Sequence, residues 1–253
     1  MKKIGIGMVL MLFTISIIAQ EEEAIKQKFI EETRIEAPVF SGDMSNNETE
    51  RLSLNQYLQD ELSYLANYDY LDDEGIVSVT FTIEADGQVN NAFVSNSVAP
   101  ELDNAVLNAI SNSSQLWLSG KINGEATAME KTVFVKFDIP GNASHNQLAI
   151  DYMNKAVTQV YAIEYIQHLP LAKNKQDRKT NRKARYAQNC LVRAEKFKPD
   201  DLSITFWQAK VYEIQGNNDL MRQHLNKYLE LVAYREFEND LLMNQDMAVI
   251  TIK

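Results

Sequence analysis

Between Gly75 and Ile139 the chain alternates apolar and polar residues twice, on either side of a short helical pattern, and nothing else constrains the fold as tightly. Val77, Val79, Phe81 and Ile83 alternate with Ser78, Thr80, Thr82 and Glu84. A period of two in β-branched and aromatic residues predicts a strand with one face in a core. Asp86-Gly87 tolerates positive φ and turns the chain, so Val89 to Ser95 returns as the second arm of a hairpin. Pro100 suits a first helical turn, where its missing N–H is not needed. Leu102, Ala105, Val106, Ala109 and Ile110 then recur at helical spacing until Ser111–Ser114 ends the pattern. Val133, Val135, Phe137 and Ile139 alternate again. Hairpin, helix and strand in that order predict an antiparallel α+β module with one helix on its sheet. Leu52, Leu54, Tyr57, Leu58, Leu62 and Leu65 predict a further helix along its flank.

After Pro140-Gly141-Asn142 the pattern becomes helical, and the domain boundary falls there. Lys198-Pro199-Asp200-Asp201 and Gly216-Asn217-Asn218-Asp219 are turn signals. They divide this region into helices over about 144–169, 175–197, 201–215 and 219–237, the last pair a helix hairpin of repeat length. Met247 to Ile252 is short and β-branched, and it either pairs as a strand or frays.

The N-terminus supplies an address. Lys2 and Lys3 precede an apolar stretch from Ile4 to Ile18, then Ala19, then Glu21-Glu22-Glu23. This is the pattern of a cleaved secretory signal peptide cut before Gln20, with export to the periplasm as its consequence. Ile17, at −3, is larger than the usual small residue, so the cleavage site stays open. The alternative is an inner-membrane anchor retained over residues 4–19. About 15 apolar residues fall short of the roughly 20 that span a bilayer. No second apolar run of that length follows, so no stable membrane span is expected after cleavage. The expected division is a signal peptide over 1–19, an acidic tether over 20–37, the α+β module over 38–140, a helical domain over 141–240 and a tail over 241–253.

Composition excludes several functions. With 35 acidic and 25 basic residues the net charge is −10, which argues against nucleic-acid binding. One cysteine, Cys190, excludes an intramolecular disulfide and any multi-thiolate metal site, and its helical setting makes it a small core residue. His145, His168 and His224 lack a carboxylate or thiol at ligand spacing, so no metal is expected. Asp69, Asp72, Asp73 and Glu74 do not match an EF-hand and read as a solvated loop. No Ser/His/Asp context is present, and Gly120 and Gly124 are turn glycines rather than a phosphate loop. The expectation is a protein with no catalytic residues and no cofactor.

One charged feature stands apart. Lys173, Lys175, Arg178, Lys179, Arg182, Lys183 and Arg185 form a basic run broken only by Asp177. It could meet phospholipid, a cell-wall polymer or an acidic protein face; the plain alternative is a solvated helix face.

The stretch Gly75-Ile76-Val77-Ser78-Val79-Thr80-Phe81-Thr82-Ile83, followed by Asp86-Gly87-Gln88-Val89-Asn90-Asn91, resembles the C-terminal domain of TonB-type energy transducers of the Bacteroidetes kind. The resemblance continues through Val94–Val98, Pro100-Glu101-Leu102-Asp103, Trp117, Gly120, Asn123-Gly124 and Val133-Phe134-Val135-Lys136-Phe137, and the opening Pro38-Val39-Phe40 also fits. The Tyr-Pro that precedes the family's first strand is absent, and Trp117-Leu118-Ser119-Gly120 replaces its tryptophan-x-proline-glycine. The helices that follow resemble tetratricopeptide repeats at Tyr212, Gln215, Gly216, Leu225, Tyr228, Leu229, Glu230 and Leu231, with Ala187, Ala194 and Pro199 resembling a preceding unit. Ala209 stands where that repeat carries glycine.

In the family it resembles, an extended receptor segment adds beside the third strand of the module. That implies a peptide-binding edge at Thr132, Val133, Phe134, Val135, Lys136, Phe137 and Asp138, its partner a peptide of an outer-membrane transporter or another envelope protein. Covering of this edge by residues 21–37 or Met247–Ile252 is the other reading. A transducer also needs an arm that crosses the periplasm. The roughly 18 residues before Pro38 reach only about 60 Å fully extended, and there is no proline-rich tract. A force-transducing role is therefore disfavoured, and a structural scaffold that binds cell wall or forms a homodimer is the alternative to peptide capture.

Overall fold

The computed structural model describes residues 34–42, 52–67, 73–238 and 247–251. The expected signal peptide, the tether before Arg34, Asp69 and Asp72 lie outside them. A four-stranded sheet in the order β4-β3-β8-β9 forms the centre of the module. It is built from β3 (Gly75–Ile83), β4 (Val89–Asn96), β8 (Met129–Asp138) and β9 (Met247–Thr251). Helix α1 (Leu54–Leu62) and helix α2 (Pro100–Asn112) cover one face. Two short pairings flank them: β1 (Ile35–Glu36) with the hairpin β6 (Gly120–Ile122) and β7 (Glu125–Thr127), and β2 (Val39–Phe40) with β5 (Trp117–Leu118). Alternation places Val77, Val79, Phe81 and Ile83 on the covered face, against Leu102, Val106 and Ile110 of α2 and Leu58 and Leu62 of α1.

Local chemistry fixes both helices. Ser53 caps α1 in a reciprocal capping box with Gln56. The Tyr57 hydroxyl donates to the Ala109 carbonyl at 2.9 Å, tying α1 to α2, and burial with Glu61 nearby pushes its pKa up to about 12. Pro100 opens α2 as its spacing predicts, and the Asp103 carboxylate accepts from the Val98 N–H at 2.9 Å. On the opposite face of the sheet, Thr80 bridges the Ser95 and Thr132 hydroxyls at 3.1 and 2.9 Å, which satisfies polar groups that would otherwise be stranded.

The C-terminal region is two helix hairpins, α3 (His145–Gln167) with α4 (Lys173–Phe197) and α5 (Leu202–Gln215) with α6 (Asn218–Glu238). Their core mixes alanines with larger residues: Ala149, Ala156, Val160 and Ile163 face Ala184, Ala187, Leu191 and Ala194, with Cys190 buried among them. Both predicted turns are present. Asp201 caps α5, accepting from the Ser203 and Ile204 N–H groups, and Gly216 ends that helix in the left-handed region at φ 72°.

Module and helices touch. The Lys196 ammonium donates to the Val98 carbonyl at 2.6 Å. Gly75, at φ 154°, lies so close that an added Cβ would meet the Lys196 carbonyl oxygen at 2.9 Å. Glycine is needed where β3 starts beneath the last turn of α4.

Candidate functional site

The predicted edge lies on β8, whose two sides differ. One side pairs with β3 in unbroken antiparallel register, from Gly75 opposite Phe137 to Ile83 opposite Met129. The other side pairs in parallel with β9: Phe134 is opposite Met247, Val135 opposite Ala248, Lys136 opposite Val249, Phe137 opposite Ile250 and Asp138 opposite Thr251. Of the seven predicted residues, Phe134–Asp138 therefore already have a neighbouring strand. Thr132 and Val133 have none on that side among the described residues. Met247–Thr251, for which the sequence left pairing or fraying open, pairs.

β9 is held by few side chains. Ala248 and Ile250 enter the module core at 1% and 6% exposure, whereas Val249 points outward at 42%. α1 packs on the strand, and the Gln59 amide reaches the Val249 carbonyl at 3.5 Å, a long contact. Burying Ile250 is worth about 1.5–3 kcal/mol, and the ladder adds backbone hydrogen bonds of about 0.5–1.5 kcal/mol each.

A charged junction stands where β8 meets the helices. The His145 ring at the start of α3 is buried, 3.1 Å from the Asp138 carboxylate, and edge-on to Phe197 at the end of α4. Burial, aided by Lys136, holds its pKa below the ordinary histidine value, against opposing pulls from Asp138 and Glu74. One carboxylate oxygen of Glu74 is buried without a hydrogen-bond partner. Glu74, Asp138 and His145 are too far apart in sequence for any spacing motif to reveal this cluster. Among the described residues no group of three or more His, Cys, Asp or Glu side chains could hold a metal ion.

The basic candidates lie elsewhere. Lys175, Arg178, Arg182 and Arg185 are exposed along one side of the first half of α4, while Lys179 and Lys183 are half-buried toward α3. Lys183 donates to the Gln159 amide oxygen at 2.9 Å. The helix rise puts Arg182 roughly 20 Å from Lys196, which touches the module. The structure thus does not unite the edge and the basic run in one site. A shallow polar groove of about 340 Å³ beside the run, lined by Asp151, Asn154, Lys155, Thr158, Gln159 and Tyr186, contains no convergent catalytic groups.

Residues 61–139 match the family described as Gram-negative bacterial TonB protein C-terminal, and this segment is a TonB C-terminal-type domain. The solution NMR structure of the TonB C-terminal domain of Helicobacter pylori matches at 25% identity, over 32% of this chain and 78% of that one, with a TM-score of 0.23. No curated protein matches the chain. Domains of the TonB type are non-catalytic and work in the cell envelope, which supports an envelope protein-interaction role. No helix among the described residues is long and apolar enough to cross a membrane.

Proposed function

We propose that this is an exported periplasmic protein whose TonB C-terminal-type module captures an extended peptide by strand addition along Thr132–Asp138. The peptide comes from an outer-membrane transporter or another envelope protein. The observation that carries the reading is the β8–β9 pairing: this edge accepts a short strand from elsewhere, held by two inward side chains and backbone bonds. An incoming peptide takes the place of β9, gaining the same ladder while its own side chains set specificity. The helical domain, read as tetratricopeptide-like, carries β9 to the edge and so links the two regions.

The test compares the exported chain with a variant ending at residue 246, each titrated with N-terminal peptides of outer-membrane transporters and followed by calorimetry and amide exchange. Removal of the internal competitor should tighten binding at least about tenfold, with peptide-dependent protection over Thr132–Asp138. Absence of binding by both forms would end the peptide reading. The closed edge favours a second reading, a structural scaffold in which β9 completes the sheet permanently. That outcome shows as β9 protection unchanged by any peptide. Intact mass of the exported protein tests cleavage before Gln20.

A further inference from the structure

We propose that the first half of α4 is a docking face for an anionic phospholipid bilayer. The thirteen residues Lys173–Arg185 hold seven of the chain's 25 basic side chains and a single acidic one, in a protein of net charge −10. Lys175, Arg178, Arg182 and Arg185 follow one another at spacings of three or four residues, which places them on one side of the helix, and all four are exposed. Among the described residues none of these, nor Lys173 or Lys179, forms an ion pair or a side-chain hydrogen bond. Other lysines of the same protein are neutralised: Lys198 lies 2.9 Å from Asp201, Lys210 2.7 Å from Glu213 and Lys227 3.0 Å from Asp200.

The helix itself gains nothing from this arrangement. A helix N-terminus carries the positive end of the macrodipole and favours acids. Here the first turn has no acidic residue, Ala172 offers no side-chain cap, and Lys173 and Lys175 stand at that end. Cations three and four residues apart also repel one another. An external surface of negative charge accounts for the stripe where intrahelical stability does not.

Its shape points to a bilayer rather than a polypeptide. The stripe is straight and about 15 Å long from Lys175 to Arg185. Protein interfaces are dominated by anchors buried in pockets. The groove beside this stripe is shallow and lined mostly by polar residues, and the adjoining aromatic, Tyr186, is 51% exposed, a disposition that suits the headgroup level of a membrane. The apolar run Ile4–Ile18, read as a signal peptide or an anchor, is in keeping with a chain that meets a membrane.

The test is co-sedimentation of the chain, as processed and purified after export, with vesicles of phosphatidylcholine alone or with about 30% phosphatidylglycerol. Binding is expected only to the anionic vesicles and should vanish in roughly 0.5 M salt. The Arg178→Gln/Arg182→Gln variant, whose positions are exposed and remain good helix formers, should bind about 20-fold more weakly. Lys121→Gln/Arg222→Gln removes as much charge elsewhere and should leave binding nearly unchanged. Equal affinity of the stripe variant and the parent, or no binding to anionic vesicles at low salt, would overturn the proposal. So would polyglutamate binding as tight as vesicle binding, which would reassign the face to an acidic polypeptide.

Discussion

The two borders of the β4-β3-β8 sheet meet the exposure of backbone in opposite ways. β4 is irregular: Thr82 pairs with Asn90 and Thr80 with Phe93, so Asn91 and Ala92 together oppose Phe81, and Asn91 takes φ 53°. A second irregularity sets Ser95 between Val94, which pairs with Val79, and Asn96, which pairs with Ser78. Bulges of this kind bend and twist a strand and spoil it as a template for another chain. β8 has no such interruption over the nine pairs it makes with β3. Its outer side stays straight, and the protection it has is β9. The same sheet thus defends one border by distorting it and the other by occupying it, and only the second defence is of the kind that the proposed peptide capture would exchange.

The largest expected effect comes from removing the occupant. Ending the chain at residue 246 exposes Val135 and Phe137 beside an open ladder and deletes the buried side chains of Ala248 and Ile250. A loss of about 3–5 kcal/mol is expected in urea unfolding, with concentration-dependent association in light scattering as β8 pairs with itself. A monomer of parental stability would show that β9 contributes nothing to edge protection. Within β9, Ile250→Ala should cost about 2–4 kcal/mol, because Ile250 is 6% exposed. Val249→Ala, outward at 42%, should stay within about 0.5 kcal/mol. Equal costs would mean that the face assignment of the strand is wrong.

What the sequence reveals of this arrangement follows the range of the interactions. β3, β4 and α2 carry their own periodicity and the four C-terminal helices are marked off by turn signals, and the structure places all of them within a few residues of expectation. β8 begins at Met129, four residues before the alternation at Val133, since Glu130 and Lys131 hide the pattern while their backbone still pairs with Thr82 and Phe81. The β6–β7 hairpin has its turn pair in Asn123-Gly124, both at positive φ, but polar arms with little alternation. Met247–Ile252 is one of the two segments that the sequence offers as a cover for the β8 edge; its parallel register is not legible, because more than a hundred residues separate it from β8 and five residues carry no register signal. The basic side of α4 is plain from spacing; that Lys175, Arg178, Arg182 and Arg185 lack partners among the described residues is visible only in the fold.

A smaller effect is expected from acid, and it acts on the occupied border. His145 and His224 both have pKa values lowered from 6.5, in each case by burial first. A depressed histidine pKa favours the neutral folded form, so this stability is complete above about pH 6.5 and is lost as the pH falls toward and through the folded value. The thermal midpoint should therefore be lower at about pH 5 than at pH 7.5, and His145→Gln should flatten part of that dependence. Because His145 stands against Asp138, opposite Thr251 at the end of the β8–β9 ladder, the protection of amides there, relative to an unfolded chain at the same pH, should fall in acid before the β3–β4 pair responds. A uniform loss of protection across the sheet would detach the histidine from the edge.

The smallest effect probes the distorted border. Asn91 occupies the left-handed region, where asparagine is tolerated and glycine costs no steric energy. Asn91→Gly should change stability by only a few tenths of a kcal/mol, because relief of steric strain is offset by the greater freedom glycine has in the unfolded chain. Asn91→Val places a β-branched side chain at φ 53° and should cost about 1–2 kcal/mol in urea unfolding if the bulge persists. If valine instead costs nothing, the bulge has straightened, and β4 then keeps only the irregularity at Ser95. Association of that variant at high concentration would show that irregular geometry, rather than the polar character of Asn90 and Asn91, is what keeps this side of the sheet closed to other strands.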